Sequence, residues 1–133
     1  MMATANVKVE QISSTASRGN ARGHEVVMDR PEAKGGTNQG MMGGEAILTG
    51  LGGCFMSNLL AAAKARNIEL NDARADIEGD MADAPARFTA IRMSVSARCN
   101  LPEELGKLVT IAERGCIAAN TLRAAVALSI KVV

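Results

Sequence analysis

Apolar and polar residues alternate along VKVEQI, residues 7 to 12, and HEVVMD, residues 24 to 29, reads as a second strand. A period of two predicts half-buried strands. Between them SSTASRGNARG (13 to 23) is polar and contains glycine, so it predicts the turn that joins the two strands as a hairpin. DRPEAKGGTNQGMMGG (29 to 44) has loop chemistry and is long for a compact domain, as loops ordered by a partner chain often are. From Glu45 the period changes. Ile47, Leu48, Leu51, Cys54, Phe55, Leu59, Leu60 and Ala63 recur at helical spacing as far as Arg66, and Asn67 can end the helix. Glu45 lies in the first turn, where the macrodipole favours a carboxylate. Alanine and glycine cover much of what remains, so the helix is expected to be central and buried on most sides.

From residue 73 to 99 the period returns to two. Ala75, Ile77, Gly79 and Met81 alternate with Arg74, Asp76, Glu78 and Asp80. After ADAPAR (82 to 87), Ile91, Met93, Val95, Ala97 and Cys99 alternate with Arg92, Ser94, Ser96 and Arg98. This predicts a second hairpin with one face inward. Pro102, Glu103 and Glu104 then open a helix whose inner face carries Leu105, Leu108, Val109, Ile111 and Ala112 and which Gly115 ends. CIAANTLRA predicts a short helix starting at Cys116, and AVALSIKVV a last strand with Val126, Leu128, Ile130 and Val132 on one side. The order ββαββαβ is an α+β layout with antiparallel sheets in one domain, residues 1 to 133. No GxGxxG or P-loop pattern and no internal repeat occurs.

Composition narrows the function classes. Lys and Arg total 15 against 14 Asp and Glu, and aromatic residues make up 2% of the chain. Neither a basic footprint nor a base-stacking platform for nucleic acid is expected. The amino-terminal residues lack the regions of a signal peptide, and no apolar run approaches the ~20 residues of a membrane span. The expectation is a soluble, cytoplasmic protein without a membrane partner.

Candidate chemistry rests on three cysteines, an odd number that argues against a structural disulfide framework. Cys54 sits mid-helix beside Gly50, Gly52 and Gly53, each costing about 1 kcal/mol relative to alanine in a helix interior. Glycines there open space beside the sulfur, as a ligand or second thiol would require; plain packing of a small hydrophobe is the alternative. Cys116 begins a helix, where backbone N–H groups and the dipole lower a thiol pKa. Cys99 faces inward on a regular strand and reads as core. The cysteines and His24 lack the CxxC or HxxxH spacing of a zinc site, and nothing pairs His24 into a catalytic triad.

Two stretches carry a family resemblance. GHEVVMDRPEAKGGTNQGMMGGEAILTGLGGCF resembles the segment of the OsmC/Ohr family in which a strand GHxLxxDxP leads through a glycine loop to ExLLxALxxC. SARCNLPEELGKLVTIAERGCIAANTLRAAVALSIKV resembles that family's carboxy-terminal helix, its CPVxxTL-like motif and its last strand. The resemblance implies an intertwined homodimer with long central helices between antiparallel sheets. It implies that Cys54 is a peroxidatic cysteine, oxidised by an organic hydroperoxide to a sulfenic acid, and that Cys116 resolves it to a disulfide. An external dithiol would reduce that disulfide, with no metal or organic cofactor. Arg18 or Arg22, with Arg18 preferred, would steady the thiolate, and Glu45 would orient the arginine. The chain departs from the pattern at Gly44, where better-characterised members carry a catalytic glutamate, and at Ile117, which replaces a proline.

Two functions follow as expectations: a thiol-dependent hydroperoxide reductase, whose apolar pocket Met41, Met42, Phe55 and Met56 would supply, or a non-enzymatic dimer binding a small apolar or electrophilic ligand.

Overall fold

The stretch Ser17–Ala21, predicted as part of a turn, is a strand. In the computed structural model, which describes residues 3–124 and 127–132, β1 (Lys8–Gln11), β2 (Ser17–Ala21) and β3 (His24–Met28) form an antiparallel sheet in the order β1-β2-β3. SRGNA has no apolar alternation to announce it. Its backbone pairs on both sides, with Gly19 opposite Val9 on one strand and Val26 on the other. The true turn is the two residues Arg22 and Gly23, both at positive φ (54° and 86°), the backbone that two-residue hairpins demand.

The chain divides into two units, residues 1–47 and 48–133. In the first, the long loop after β3 is ordered by its own carboxylate. Asp29, only 5% exposed, accepts hydrogen bonds from the N–H groups of Arg30 (2.7 Å), Thr37 (3.2 Å) and Gln39 (3.2 Å) and from the Thr37 hydroxyl (2.7 Å). These donors, the Thr37 hydroxyl foremost, pull its pKa down to about 2. Residues Glu32–Lys34 make a 3₁₀ turn within this loop.

Helix α1 (Gly43–Ala65) starts in the first unit and runs through the second. At its start the Met42 N–H donates to Glu45 Oε1 at 2.8 Å, one half of a capping box. At its end Asn67 takes the left-handed conformation (φ 54°), and Ile68 N–H reaches back to the Ala63 carbonyl at 2.9 Å. That is a Schellman closure. By length and composition α1 is apolar enough to cross a membrane, with a mean hydropathy of 1.5 over its best window. The glycines and Asn58 break up its apolar runs and hide this from a run-by-run reading.

Nor is α1 covered on most sides by its own chain. Leu51, Phe55, Leu59, Ala62 and Ala63 are buried, while Ile47 and Leu60 are half exposed. Of the three glycines, Gly52 has a packing reason. A Cβ there would come within 2.7 Å of Ile77 Cδ1, whereas Gly50 and Gly53 face open space.

In the second unit β4 (Leu70–Asp83) and β5 (Ala86–Cys99) form the expected hairpin. Ile77, Ile91, Met93 and Val95 pack against the core cluster. The outer face carries Arg74–Asp76, Arg92–Asp80 and Arg98–Asp72 ion pairs at 2.7–2.8 Å, all exposed and each worth under about 1 kcal/mol. One inward residue is corrected. The register shifts between Asp80 and Met81, so that Met81 lies opposite Phe88 and is 70% exposed. A one-residue shift of this kind sends a side chain to the other face.

A 3₁₀ turn, Pro102–Glu104, leads into α2 (Leu105–Arg114), and α3 (Ile117–Arg123) follows. Leu59, Leu108, Ala112 and Cys116 are the most enclosed members of the core. Among the described residues the predicted last strand is not formed. Residues 127–132 carry no regular structure, and Leu128, Ile130 and Val132 are 81 to 99% exposed. Val126, the first residue of its apolar side, lies outside the described residues.

Candidate functional site

Helix α1 brings Cys54 to the junction that follows α2. The helix is held there by Leu59 and Phe55 in the core and by Asn58, whose side-chain N–H donates to the Ala112 carbonyl at 3.4 Å. Gly115 ends α2, and Cys116 follows as the N-cap of α3. A cysteine is an unusual cap. Its sulfur accepts the Ala119 N–H at 3.4 Å, the bond that a serine oxygen ordinarily takes.

The two thiols are near enough to influence each other. The Cys116 thiol is a hydrogen-bond partner of Cys54, as are the backbone N–H groups of Ala118 and Ile117. These donors favour the thiolate. The Ala118 N–H is the largest influence, and together the three outweigh partial burial and lower the Cys54 pKa below its ordinary value. Cys116 moves the other way. Full enclosure raises its pKa, and the neighbouring Cys54 raises it further. The two shifts run in opposite directions, so Cys54 is the readier of the pair to ionise and Cys116 the readier to keep its proton.

This corrects the sequence expectation for Cys116. The N–H groups at the start of α3 act on both thiols, but at Cys116 burial outweighs them, and the net lowering is at Cys54. The donors themselves carry no sequence signal, because an Ile–Ala pair announces nothing about where its amides point.

The other candidates have surroundings of their own. Arg18 is on β2, with its Nε 3.3 Å from Glu25 Oε2 on β3. Arg22 is exposed in the β2–β3 turn. Glu45 closes the start of α1 through Met42. Cys99 is half-buried, its thiol donating to the Leu101 carbonyl at 3.2 Å, as a core residue would. His24 is exposed on β3. Among the described residues no group of three His, Cys, Asp or Glu is arranged to hold a metal ion.

Beside the pair lies an open apolar cleft of ≈ 440 Å³, walled by Leu51, Phe55, Ile91, Met93, Val95 and Val109, among others. Neither Cys54 nor Cys116 is among its walls. Phe55 and Ala119, each adjacent to the thiol pair along the chain or by hydrogen bond, do. Of the residues expected to supply an apolar pocket, Phe55 does so, Met56 packs against the core, and Met41 and Met42 precede α1.

The fold is a two-sheet α+β architecture, and Cys54 and Cys116 are neighbours in its second unit. The chain belongs to the OsmC-like protein family, whose model matches residues 36–131. Among solved structures it is similar to an OsmC-like protein from Mycoplasma pneumoniae, at 19% identity and a TM-score of 0.79 over 92% of this chain and 89% of that one. It is also similar to organic hydroperoxide resistance proteins. That of Elizabethkingia anophelis matches at 18% identity and a TM-score of 0.63, covering 92% of this chain and 90% of the other. OhrB of Bacillus subtilis matches at 20% identity and 0.59, covering 90% of each. At these identities the likeness is one of fold. No curated protein matches the chain.

Proposed function

We propose that the protein is a thiol-dependent hydroperoxide reductase acting on organic hydroperoxides. The observation that carries this reading is the contact between Cys54, favoured as a thiolate by three donors, and the Cys116 thiol. Cys54 sulfur attacks the distal oxygen of ROOH, the O–O bond breaks, ROH leaves with a proton, and Cys54 becomes a sulfenic acid. Cys116 sulfur displaces water from that acid and forms the Cys54–Cys116 disulfide. An external dithiol, oxidised to its own disulfide, returns both thiols. Arg18 supplies positive charge to the thiolate and Glu45 orients it. No metal or organic cofactor enters the cycle, which runs in one domain, residues 1 to 133, in the cytoplasm. The two similar organic hydroperoxide resistance proteins, from Elizabethkingia anophelis and Bacillus subtilis, support the substrate class.

The test is a non-reducing peptide map of the reduced protein after brief exposure to one equivalent of an organic hydroperoxide. A rapid Cys54–Cys116 disulfide that is absent from Cys54→Ser is expected. Thiols that stay free, or that oxidise without preference among the three, would sink the reading. They would favour the ligand-binding alternative, to which the open apolar cleft beside the pair gives its own support.

The working unit of this reading is a homodimer. Ile47 and Leu60 on α1, Val7 and Val9 at the first sheet's edge, and the carboxy-terminal apolar side chains are all left uncovered by the chain. Exposed apolar surface on this scale marks an association site. Sedimentation equilibrium is expected to give twice the chain mass at micromolar concentration; a single-chain mass throughout would exclude the dimer.

A further inference from the structure

Cys116 is 0% exposed and stands in the core with Leu59, Leu108 and Ala112, whereas Cys54 is only partly buried. This enclosure comes from the chain itself, so association with a second copy cannot relieve it. Thiol–disulfide exchange needs a thiolate to reach one of the two sulfurs directly, in line with the bond that breaks. For Cys116 the line runs through packed side chains. For Cys54 it runs from the side that the hydroperoxide must itself use.

We propose that the external dithiol reduces the disulfide by attacking the sulfur of Cys54, so that hydroperoxide and reductant act in turn on one atom through one opening. The inference rests on the peroxidase reading above and specifies its reductive half. The incoming thiolate forms a bond to Cys54 sulfur, and the Cys54–Cys116 bond breaks. Its electron pair leaves on Cys116, which takes up the proton lost by the reductant. The second thiol of the dithiol then attacks the reductant's own sulfur in the mixed disulfide. That step releases the Cys54 thiolate and a closed, oxidised dithiol.

Leaving-group chemistry alone points the other way. Cys116 is the more basic thiol of the pair, and the less basic one leaves faster. Access decides the matter, because attack on Cys116 first requires the packing of Leu59, Leu108 and Ala112 around it to open.

The regiochemistry is read by forming the disulfide with diamide, which oxidises dithiols without hydroperoxide chemistry. Excess 2-mercaptoethanol is added for a series of short times, followed by quenching with N-ethylmaleimide in denaturant and peptide mapping. Extrapolated to zero time, the mercaptoethanol adduct is expected on Cys54 and maleimide on Cys116, by at least about tenfold. An adduct on Cys116, or an even division, would overturn the inference. A pair that diamide oxidises but an organic hydroperoxide does not would remove the peroxidase reading while leaving the regiochemistry measurable. A pair that neither reagent oxidises overturns both.

Discussion

Replacing Cys54 with serine is expected to reduce hydroperoxide consumption to that of the free dithiol reductant, a fall of about a thousandfold or more. A serine hydroxyl at the same place has the donors but not the anion, because the Ala118 and Ile117 N–H groups cannot bring an alcohol near ionisation at neutral pH. The assay is the disappearance of an organic hydroperoxide coupled to dithiol oxidation, and Cys99→Ser, which alters a thiol bonded only to the Leu101 carbonyl, is the control expected to keep activity. Equal loss in both variants would mean that thiol content in general, not this site, is being measured. The pH profile adds a sign. Donors to the anion lower the Cys54 pKa, so the reactive form persists to a lower pH than for an ordinary thiol. Removing the Cys116 donor in Cys116→Ala is expected to move the single-turnover inflection upward, while the two backbone donors keep it from returning fully to the ordinary value. An inflection that stays put would show that Cys116 does not help to hold the charge.

The second large effect is on stability. Leu59→Ala is expected to cost about 2–5 kcal/mol, read as a lower midpoint in equilibrium urea unfolding at fixed protein concentration. Leu59 is fully enclosed and sits in the cluster that joins α1 to Leu108, Ala112 and Cys116. Truncation removes its transfer contribution and leaves a cavity whose walls include backbone-anchored helix residues, so the site has little freedom to collapse. Against a typical total of roughly 5–15 kcal/mol, that is a large share. A loss below about 1 kcal/mol would mean that α1 does not pack in this way. Because the cavity adjoins Cys116, the same variant is expected to blur the placement of the resolving thiol and slow disulfide formation as well.

How legible was this architecture beforehand? The β4–β5 hairpin was, because alternating Ile, Met and Val against Arg, Asp and Glu has a single solution with one face inward. The limits of α1 were too, since Glu45 and Asn67 are chemically suited to begin and end a helix. Strand β2 was hidden. Ser17 to Ala21 owe their extended form to two flanking strands rather than to their own side chains, and the turn that fixes them depends on backbone angles at Arg22 and Gly23. The outward turn of Met81 was hidden for a similar reason, as a bulge is set by pairing across the hairpin. The cysteine pair was visible only as two residues in a familiar context. What makes them a pair, the amides aimed at Cys54 and the enclosure of Cys116, is a property of tertiary packing that no spacing in the chain encodes. The carboxy-terminal alternation was plain to see, yet a strand needs a partner, and among the described residues 127–132 pair with none.

The cap on α3 ties redox state to local unfolding. Helix α3 buries none of its own residues, and its start is fastened by the Ala119 amide on Cys116 sulfur. When that sulfur bonds to Cys54 its electron density is drawn away from the cap, and the free energy of opening α3 falls with it. Hydrogen exchange at Ala119 should therefore quicken on oxidation and slow again on reduction; an exchange rate indifferent to the disulfide would uncouple the two. One amide would then report the state of the pair, and the fraying of the start of α3 would follow the supply of reducing equivalents.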